Sequence, residues 1–478
     1  PYDCASESYS GSEIRFGSID TNGFSAADGT SAFSTSSSIS ISTTQSMCVY
    51  VVTDVTKAAS DGETIEIEIA NPSTDVTVSG GVTPVPHYSI ALDGETSITL
   101  DTDFRVQRGF FTMSTDTHTL TAGIDYDAPV SSTSAFIRIT NSGYTGAGPD
   151  RGAGTRNSDD VTVYMTNPEN IETSVTFQRG VAAVSNTRVM WEIVEYKGVA
   201  GGENEIKVRR QEDLAYVSGN ATLSSSAISG VVDDTDIVVF ITGQYNSNTG
   251  ATVYSRGQST AAWNAGSDTV TFTRGATGSV VNLSYAVVEF TGSNWRIQRS
   301  ENTYAAAGAT ETENITAVNS LTRTFLHTQK RFSVSTHANF GHEVWLSGLG
   351  QISYFLDAAA TTPAGQVSVA WVIENIQTLG TPMNVTRVNG GPLDTVGTSP
   401  ERNIMSIGAT LDDLSVSSIF LNNRADTANN TWPEPILGVM LLSTTQYEIW
   451  RSDISANINF RAEIVEWPTA VRKIEQGD

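Results

Sequence analysis

The sequence is poor in basic residues and in charge of either sign. Among its 478 residues, 27 are Lys or Arg and 52 are Asp or Glu, so the formal net charge is −25. Nucleic acids and anionic lipid surfaces are bound largely through phosphate neutralisation by Lys and Arg, so this balance argues against nucleic acid as a partner. Only 17% of the residues are charged. Ser, Thr, Asn and Gly therefore supply most of the polar surface, as in many extracellular β proteins.

Cysteine is nearly absent, and the chain contains only Cys4 and Cys48. We predict a disulfide between them, which would close a loop of about 45 residues and stabilise the fold by roughly 3–4 kcal/mol. Two free thiols in a reducing cytosol are the alternative. Because disulfides persist in oxidising compartments, the pair favours an extracellular or cell-surface location, with a virion as the alternative location. The chain begins with Pro1 rather than Met, which is expected if a leader was removed or the chain was trimmed.

Long apolar runs and helical periodicity are missing as well. No stretch approaches the ~18 apolar residues of a membrane-spanning helix, so no membrane span is expected. Apolar residues instead alternate with polar ones, as in residues 64–69 (TIEIEI), or form short runs such as residues 236–241 (DIVVFI). Clusters of Gly, Asn, Asp and Ser separate these segments. The pattern predicts an all-β chain.

The chain contains a fourfold internal repeat. Its clearest element is an apolar strand with a glutamate near its end, found at residues 191–196 (WEIVEY), 285–290 (YAVVEF), 371–375 (WVIEN) and 462–467 (AEIVEW). The shared residues are Glu195, Glu289, Glu374 and Glu466, which are 94, 85 and 92 positions apart. A period of this length fits a β-sandwich with its own core, whereas solenoid repeats are shorter.

These observations predict a tandem array of β-sandwich modules, Ig-like or jelly-roll-like. The expected modules span residues 130–212, 213–305, 306–390 and 391–478, after a divergent N-terminal β domain at residues 1–129 that carries both cysteines. The first three modules are each expected to end in an arginine-containing strand, at residues 206–210 (IKVRR), 295–299 (WRIQR) and 383–387 (MNVTR). Residues 104–109 (FRVQRG) resemble that strand and would end a degenerate fifth copy. Short linkers favour a stiff rod of modules.

The repeated glutamate lies inside an otherwise apolar strand, where a carboxylate is costly unless it is paired. We therefore expect cross-strand ion pairs, for example Glu289 with Arg274 or Arg299. The arginines proposed for these structural ion pairs are Arg179, Arg274, Arg299 and Arg387. A catalytic acid or metal ligand in every module is the alternative, but a catalytic group rarely recurs at every repeat. No catalytic residue and no enzyme activity are therefore expected.

The tryptophans fall into two groups. Those on the repeated strands are expected in the module cores, as is common in sandwiches; they are Trp191, Trp295, Trp371 and Trp467. Those in less regular stretches are candidates for ligand or interface aromatics; they are Trp263, Trp345 and Trp432.

Acidic clusters precede one of the repeated strands, at Asp159–Asp160, at Asp233–Asp234 with Asp236, and at Asp412–Asp413. Clustered carboxylates in loops suit calcium, whereas ordinary solvated turn residues are the alternative. No set of His and Cys with zinc spacing is present. No cofactor and no metal site are therefore expected, with calcium as the alternative.

Three recurring segments carry a family resemblance. They are VTFxRG at residues 175–180 and 270–275, the strand that ends in [IV]-V-E-[FYW], and the WRIQR strand. Together they resemble the repeat modules of large bacterial cell-surface proteins and of phage fibre-type structural proteins. The resemblance covers about residues 130–478, implies a non-catalytic extracellular structural or adhesive role, and brings no catalytic residues with it.

The expected function is that of a non-enzymatic extracellular structural protein. It would be a subunit of a surface filament, fibre or layer that self-assembles into a homo-oligomer by sandwich packing or strand addition. The alternative is an adhesin, or a phage tail-fibre or virion protein, that binds surface glycans.

Overall fold

The fold is taken from a computed structural model of the full chain. It describes residues 40, 64–65, 68–69, 71–78, 90–91, 96–98, 102–144, 162–179, 187–246, 256–332, 342–356, 365–377, 381–393, 402–425, 437–451, 458–468 and 474–476. The chain divides into two compact units, residues 1–59 and 60–478. Every helix and strand given below lies in the second unit. Cys4 and Cys48 lie outside the described residues, so their disulfide stays a prediction.

The second unit contains four successive modules of six strands each, and the predicted all-β array of sandwich-like modules is confirmed. In each module the first, sixth and third strands form one antiparallel sheet, which we call the first sheet. The second, fifth and fourth strands form the second sheet. The sixth and fifth strands are therefore the central strands of the two sheets.

The bounds of the strands are as follows. Module 1 consists of Phe104–Met113, Thr117–Thr121, Ala135–Tyr144, Tyr164–Met165, Ser174–Gln178 and Thr187–Tyr196. Module 2 consists of Lys207–Tyr216, Thr222–Ser224, Ile237–Asn246, Ser259–Asn264, Thr269–Arg274 and Val281–Glu289. Module 3 consists of Trp295–Thr303, Thr310–Asn314, Thr324–Arg331, His342–Gly348, Gln351–Leu356 and Val367–Asn375. Module 4 consists of Asn384–Leu393, Arg402–Ser406, Ser417–Ala425, Leu437–Leu441, Gln446–Arg451 and Ile458–Glu466.

Short elements complete the described fold. Three 3₁₀ helices lie at Pro168–Asn170, Leu321–Arg323 and Leu414–Val416. A single turn of α-helix at Pro72–Asp75 is capped by the side chain of Asn71. Strands Glu68–Ile69 and Ile90–Ala91 pair with each other. Strands Thr64–Ile65, Thr96–Ile98 and Ile474–Gln476 form a further three-stranded sheet, which we call the terminal sheet.

In modules 1, 3 and 4 the sixth strand separates two cores by the alternation of its side chains, whereas in module 2 both of its faces lie in the shared core. In module 1, Trp191 and Ile193 pack against the second sheet in a core of that module alone. Val194 and Tyr196 point the other way, into a core to which all four modules contribute. Because both faces are covered, every residue of Thr187–Tyr196 is buried. The same double covering explains the continuous apolar runs in the sequence.

The shared core contains an aromatic cluster from several modules. Trp467, which follows module 4, stacks on Phe104 of module 1 with ring centroids 4.9 Å apart. It also meets Trp295 and Phe325 of module 3, at 6.2 and 5.6 Å. All four tryptophans predicted for cores are at most 5% exposed. The prediction for them is confirmed.

The strand pairing places the module limits one strand earlier than the repeat predicts. Residues 207–212 were assigned to the end of module 1, but they belong to the strand Lys207–Tyr216, which pairs with Val281–Glu289 of module 2. Phe104–Met113 likewise pairs with Thr187–Tyr196 and opens module 1 rather than ending a fifth copy. The repeat alone gives the period but not its starting point, because a cyclic shift of six strands leaves the spacing of the glutamates unchanged.

The modules do not form the expected rod. Module 1 contacts module 4 as well as module 2; for example, the Arg108 guanidinium donates to the Leu414 carbonyl over 2.7 Å. The contacts between modules therefore run 1–2, 2–3, 3–4 and 4–1. The terminal sheet joins the two ends of the second unit, since Ile474–Gln476 pairs with Thr96–Ile98.

Candidate functional site

The repeated glutamate is buried in every module and is at most 7% exposed. One carboxylate oxygen faces a side chain of the first strand. Arg105 Nη2 lies 2.7 Å from Glu195 Oε2, and Arg209 pairs with Glu289. Arg296 Nε lies 2.7 Å from Glu374 Oε2, and in module 4 the amide of Asn384 donates to Glu466 over 2.8 Å.

The second carboxylate oxygen binds the loop between the second and third strands. Glu195 Oε1 accepts the Val130 N–H over 2.7 Å. Glu289 Oε1 accepts the N–H groups of Val232 and Asp233 over 2.8 and 2.7 Å. The corresponding donors for Glu374 and Glu466 are the N–H groups of Asn319 and Asp412. We call this repeated arrangement the glutamate clamp, because one carboxylate holds the first strand to a loop that crosses between the sheets.

In modules 1 to 3 the clamp contains an ion pair, as predicted, but with other arginines than those proposed. In module 4 the predicted ion pair is wrong, because Glu466 binds the neutral amide of Asn384 instead. Glu289 binds Arg209 and contacts neither Arg274 nor Arg299. Arg209 occupies the bulge between Val208 and Arg210 in the pairing with the sixth strand. The preceding Lys207, at the position of Arg105 and Arg296, instead lies 3.2 Å from Glu205. The second position of the FRVQRG and WRIQR segments could have indicated Arg105 and Arg296, but only the strand register identifies them as partners.

Arg179 and Arg274 of the VTFxRG segments serve backbone carbonyls instead. Arg274 is 1% exposed and donates to the carbonyls of Val217, Ser218, Asn220 and Ser279 over 2.7–3.0 Å. Burial lowers the pKa of Arg274. Arg179 donates to the Thr115 carbonyl over 2.9 Å and to Thr187 Oγ1 over 3.0 Å. In both modules the guanidinium thus ties the end of the fifth strand to the turn between the first and second strands.

Arg299 and Arg387 lie at contacts between modules. Arg299 donates to the Ala261 carbonyl of module 2 over 3.2 Å and to Glu301 over 2.7 Å. Arg387 donates to the Leu321 carbonyl of module 3 over 2.7 Å and to Glu463 over 2.8 Å. Their repeated position therefore marks the surface where one module meets the preceding one.

A second repeated contact caps the third strand, an edge strand of each first sheet. One backbone group of this strand binds a polar side chain of the next module at every contact. The Ile137 N–H donates to Gln211 Oε1 over 2.9 Å, and the Val239 carbonyl accepts from Gln329 Nε2 over 2.6 Å. The Leu326 N–H donates to Glu463 Oε2 over 2.6 Å, and the Ile419 carbonyl accepts from Arg138 Nη2 over 2.6 Å.

These four edge caps use equivalent positions. Ile137, Val239, Leu326 and Ile419 all pair with the sixth-strand residue two positions before the repeated glutamate. An edge strand exposes unpaired backbone groups that attract other strands, and a side-chain partner satisfies them. The contact between modules is thus built on the same residue of the repeat each time, with a different capping side chain.

The contact between modules 1 and 4 contains several buried charged groups. Glu192 is 1% exposed and pairs with Arg138, whose guanidinium also lies 3.9 Å from the Phe420 ring centroid of module 4. Burial lowers the pKa of Arg138 and of Arg108, while Glu192 opposes that shift. Farther along, Arg188 Nη2 of module 1 lies 3.2 Å from Glu448 Oε1 of module 4. Removing one member would leave an uncompensated charge, so these groups hold the modules together.

The connections between modules meet at a buried cluster of amides, which we call the linker cluster. Asn204 is 1% exposed, and its amide donates to Asp103 over 2.8 Å and to Gln377 over 3.0 Å. Its carbonyl oxygen accepts from Asn294 over 2.9 Å and from Asn375 over 3.3 Å. The segments that precede the four modules are therefore joined through one side chain. No repeat marks these residues, so sequence reasoning missed them.

The three candidate ligand aromatics have different surroundings. Trp263 is partly exposed, and its indole N–H donates to Asp234 Oδ1 over 2.7 Å. Trp345 lies at the contact of modules 3 and 4, where the Arg461 guanidinium is 4.5 Å from the centroid of the Trp345 ring. Trp432 lies outside the described residues.

In each described acidic pair that suggested calcium, one member caps a turn or a helix. Asp233 accepts from the backbone N–H of Thr235 over 2.8 Å, and Asp413 accepts from that of Ser415 over 2.7 Å. Asp159 and Asp160 lie outside the described residues. Within the described ranges no group of three His, Cys, Asp or Glu side chains could hold a metal ion. The same ranges contain no helix long and apolar enough to cross a membrane.

A scan against protein-family models and searches of curated proteins and of solved structures found no match to this chain. The resemblance to repeat modules of surface and fibre proteins therefore stays a prediction.

Proposed function

We propose that this chain is a non-enzymatic structural subunit of an extracellular filament, fibre or layer. The proposal rests on one observation, which is that the buried charged groups of the described modules serve to hold the structure together. The glutamate clamps, the edge caps and the buried arginines all bind backbone groups or opposite charges within or between modules. Such groups are expensive to bury, and here they fix one arrangement of four modules around one core. A rigid block of this kind suits a repeating assembly.

The proposed location is extracellular or on the surface of a cell or virion. The low content of charged residues, the many polar uncharged residues and the predicted Cys4–Cys48 disulfide support it. Mass spectrometry of the native protein under non-reducing conditions tests the disulfide. Recovery of both cysteines as free thiols from freshly prepared native material would count against this location.

The assembly itself is tested on the purified full chain. Light scattering after size exclusion, together with negative-stain electron microscopy, is expected to show ordered multimers as the concentration rises from micromolar to millimolar. A protein that stays monomeric over that whole range would contradict the proposal. The Glu289→Gln variant is a useful comparison, because loss of one clamp weakens a module without altering the outer surface.

A glycan-binding adhesin or tail-fibre protein is a second candidate, favoured by Trp263. Its ring is partly exposed, and the hydrogen bond to Asp234 fixes the indole orientation. A fixed aromatic face beside a carboxylate suits stacking against a sugar ring. A glycan array is expected to give hits that Trp263→Ala abolishes. Hits that survive this substitution would place the site elsewhere.

A further inference from the structure

The terminal sheet is the only described sheet built from both ends of the second unit. Thr96–Ile98 is its central strand, and Ile474 pairs with Ile98, Glu475 with Ser97 and Gln476 with Thr96. On the other side, Thr64 pairs with Ser97 and Ile65 with Thr96. The pairing is antiparallel and only three residues long on the C-terminal side. So short a strand is held by few hydrogen bonds, and terminal elements of this kind open locally at low free energy.

The described edges of the first sheets are less available for strand addition. In each third strand one backbone group is already bound by a side chain of the neighbouring module, as described above. The first strands are held to their loops by the glutamate clamps and by reciprocal contacts; for example, Gln107 exchanges two hydrogen bonds of 2.8 and 2.7 Å with the Asp127 backbone. In the terminal sheet, in contrast, the strand that pairs with one side of Thr96–Ile98 is known. It is the Ile474–Gln476 strand.

The C-terminal strand follows Trp467, a residue that is anchored in the shared core. Trp467 is 2% exposed, its indole N–H donates to Ser418 over 3.0 Å and its backbone N–H to the Val416 carbonyl over 2.9 Å. From there to Ile474 the chain spans at most about 25 Å when fully extended. Within that reach the strand pairs with Thr96–Ile98 of its own chain.

We propose that Ile474–Gln476 of one copy pairs with Thr96–Ile98 of a second copy, so that successive copies are linked by exchange of this strand. The inference rests on the proposed function and names the contact that joins the subunits. The same backbone pairing forms within one chain or between chains, so the local concentration decides between them. A short tether gives an effective concentration of about millimolar within the chain. Exchange is therefore favoured where copies are packed at similar density, as in a filament or layer.

The test uses two full-length variants with different tags, Ser97→Cys and Glu475→Cys. These positions are directly paired, and paired positions in an antiparallel sheet lie within disulfide range. The variants are mixed at millimolar concentration, oxidised and run on a non-reducing gel. Strand exchange predicts a cross-linked dimer that carries both tags, in yield roughly tenfold above the control. The control is Glu475→Cys mixed with Val217→Cys, which places an exposed thiol in a turn of module 2.

A mixed yield no higher than that control would overturn the exchange. The Ser97→Cys/Glu475→Cys double variant would in that case close only within its own chain. A chain that ends at Pro468 separates this result from a failure of the proposed function. If it assembles as well as the full chain, the strand proposal fails while the structural role stands. If the full chain itself never assembles, the structural role fails, and the exchange fails with it.

Discussion

At the scale of single residues, the repeated glutamate resolves the problem of a carboxylate in an apolar strand by dividing its two oxygens between two partners. One oxygen meets a cationic or amide group of the first strand, and the other accepts backbone N–H groups of a crossing loop. A carboxylate with both oxygens engaged is tolerated at full burial. The sequence indicated the ion pair, because a buried Glu demands one. It could not indicate which Arg, because a bulge at Arg209 shifts the register in module 2.

We expect a measurable coupling between Glu289 and Arg209. Glu289→Gln should lower the free energy of unfolding by about 2–4 kcal/mol, because the guanidinium of Arg209 loses its counter-charge in a largely buried site. A double-mutant cycle with Arg209→Gln should give a coupling free energy of about 1–3 kcal/mol. Urea denaturation measures both values.

Two comparisons sharpen this experiment. A cycle of Glu289→Gln with Arg274→Gln should be additive, since Arg274 binds only carbonyls. Glu301→Gln breaks a half-exposed pair with Arg299 and should cost less than about 1 kcal/mol. Strong coupling of Glu289 to Arg274, or equal losses in Glu289→Gln and Glu301→Gln, would contradict the clamp.

At the scale of elements, position in the sheet decides burial. The sixth strand is central in the first sheet and has a covered face on each side, so its charged residues need partners in two directions. In module 1, Glu195 lies on the face toward the second sheet, whereas Glu192 lies toward module 4. Alternation predicts that these two residues point to opposite faces. It does not predict that the face of Glu192 is covered, because that depends on the neighbouring module.

The linker cluster is the element-scale feature with the clearest prediction. Asn204→Ala should lower the free energy of unfolding by about 2–4 kcal/mol, because several buried polar groups lose their partner at once. Asn204→Asp should be more harmful at neutral pH, since it places a second carboxylate beside Asp103. Thermal and urea unfolding measure the losses.

The matched control for Asn204 is Asn220→Ala. Asn220 lies in an exposed turn, and Arg274 binds its carbonyl rather than its side chain. A change within about 0.5 kcal/mol is expected there. If Asn204→Ala were as mild as this control, the amide network would not be what holds the linkers together.

At the scale of the whole second unit, one core is shared by four modules. The modules are therefore expected to unfold together rather than one by one, unlike modules that touch only through linkers. The shared core follows from the direction of the first sheets, whose outward faces carry large apolar residues. An isolated sandwich would expose those faces to water.

Trp467→Ala tests this cooperativity. The ring contacts Phe104, Trp295 and Phe325, so its loss should cost about 3–5 kcal/mol and loosen modules 1 and 3 as well as module 4. Hydrogen exchange should show faster exchange in all three modules. Val217→Ala, at an exposed residue, is the control. Changes confined to module 4 would indicate that the modules are energetically independent.

The pH dependence of stability is also a property of the whole molecule. Burial raises the pKa of Asp213 and of Asp236 to about 6. A nearby acid adds to each shift; it is chiefly Glu169 for Asp213 and chiefly Asp233 for Asp236. The folded state then holds more protons than the unfolded state between a pH of about 4 and about 6. The free energy of unfolding should therefore rise as the pH falls from neutral through that window, by about 1 kcal/mol per group after allowance for partial exposure.

Asp213→Asn should raise the stability at neutral pH and flatten its rise on acidification. Urea midpoints measured from neutral pH down to a pH of about 5 would show this. The exposed Glu313→Gln serves as control and should leave the slope unchanged. An unaltered slope in Asp213→Asn would mean that this carboxyl ionises normally in the folded protein.

The sequence by itself determined the fold class, the number of modules and the need for a partner at each buried glutamate. Strand alternation, the spacing of the glutamates and the cost of burying a carboxylate are local properties, and each can be read without knowing what lies nearby. The tertiary structure decided where a module begins, which arginine meets which glutamate, and that the modules share a core instead of forming a rod. These depend on strand register and on contacts between residues as far apart in the chain as Arg138 and Ile419. No local pattern encodes such contacts, because the same alternating strand can pair with several neighbours.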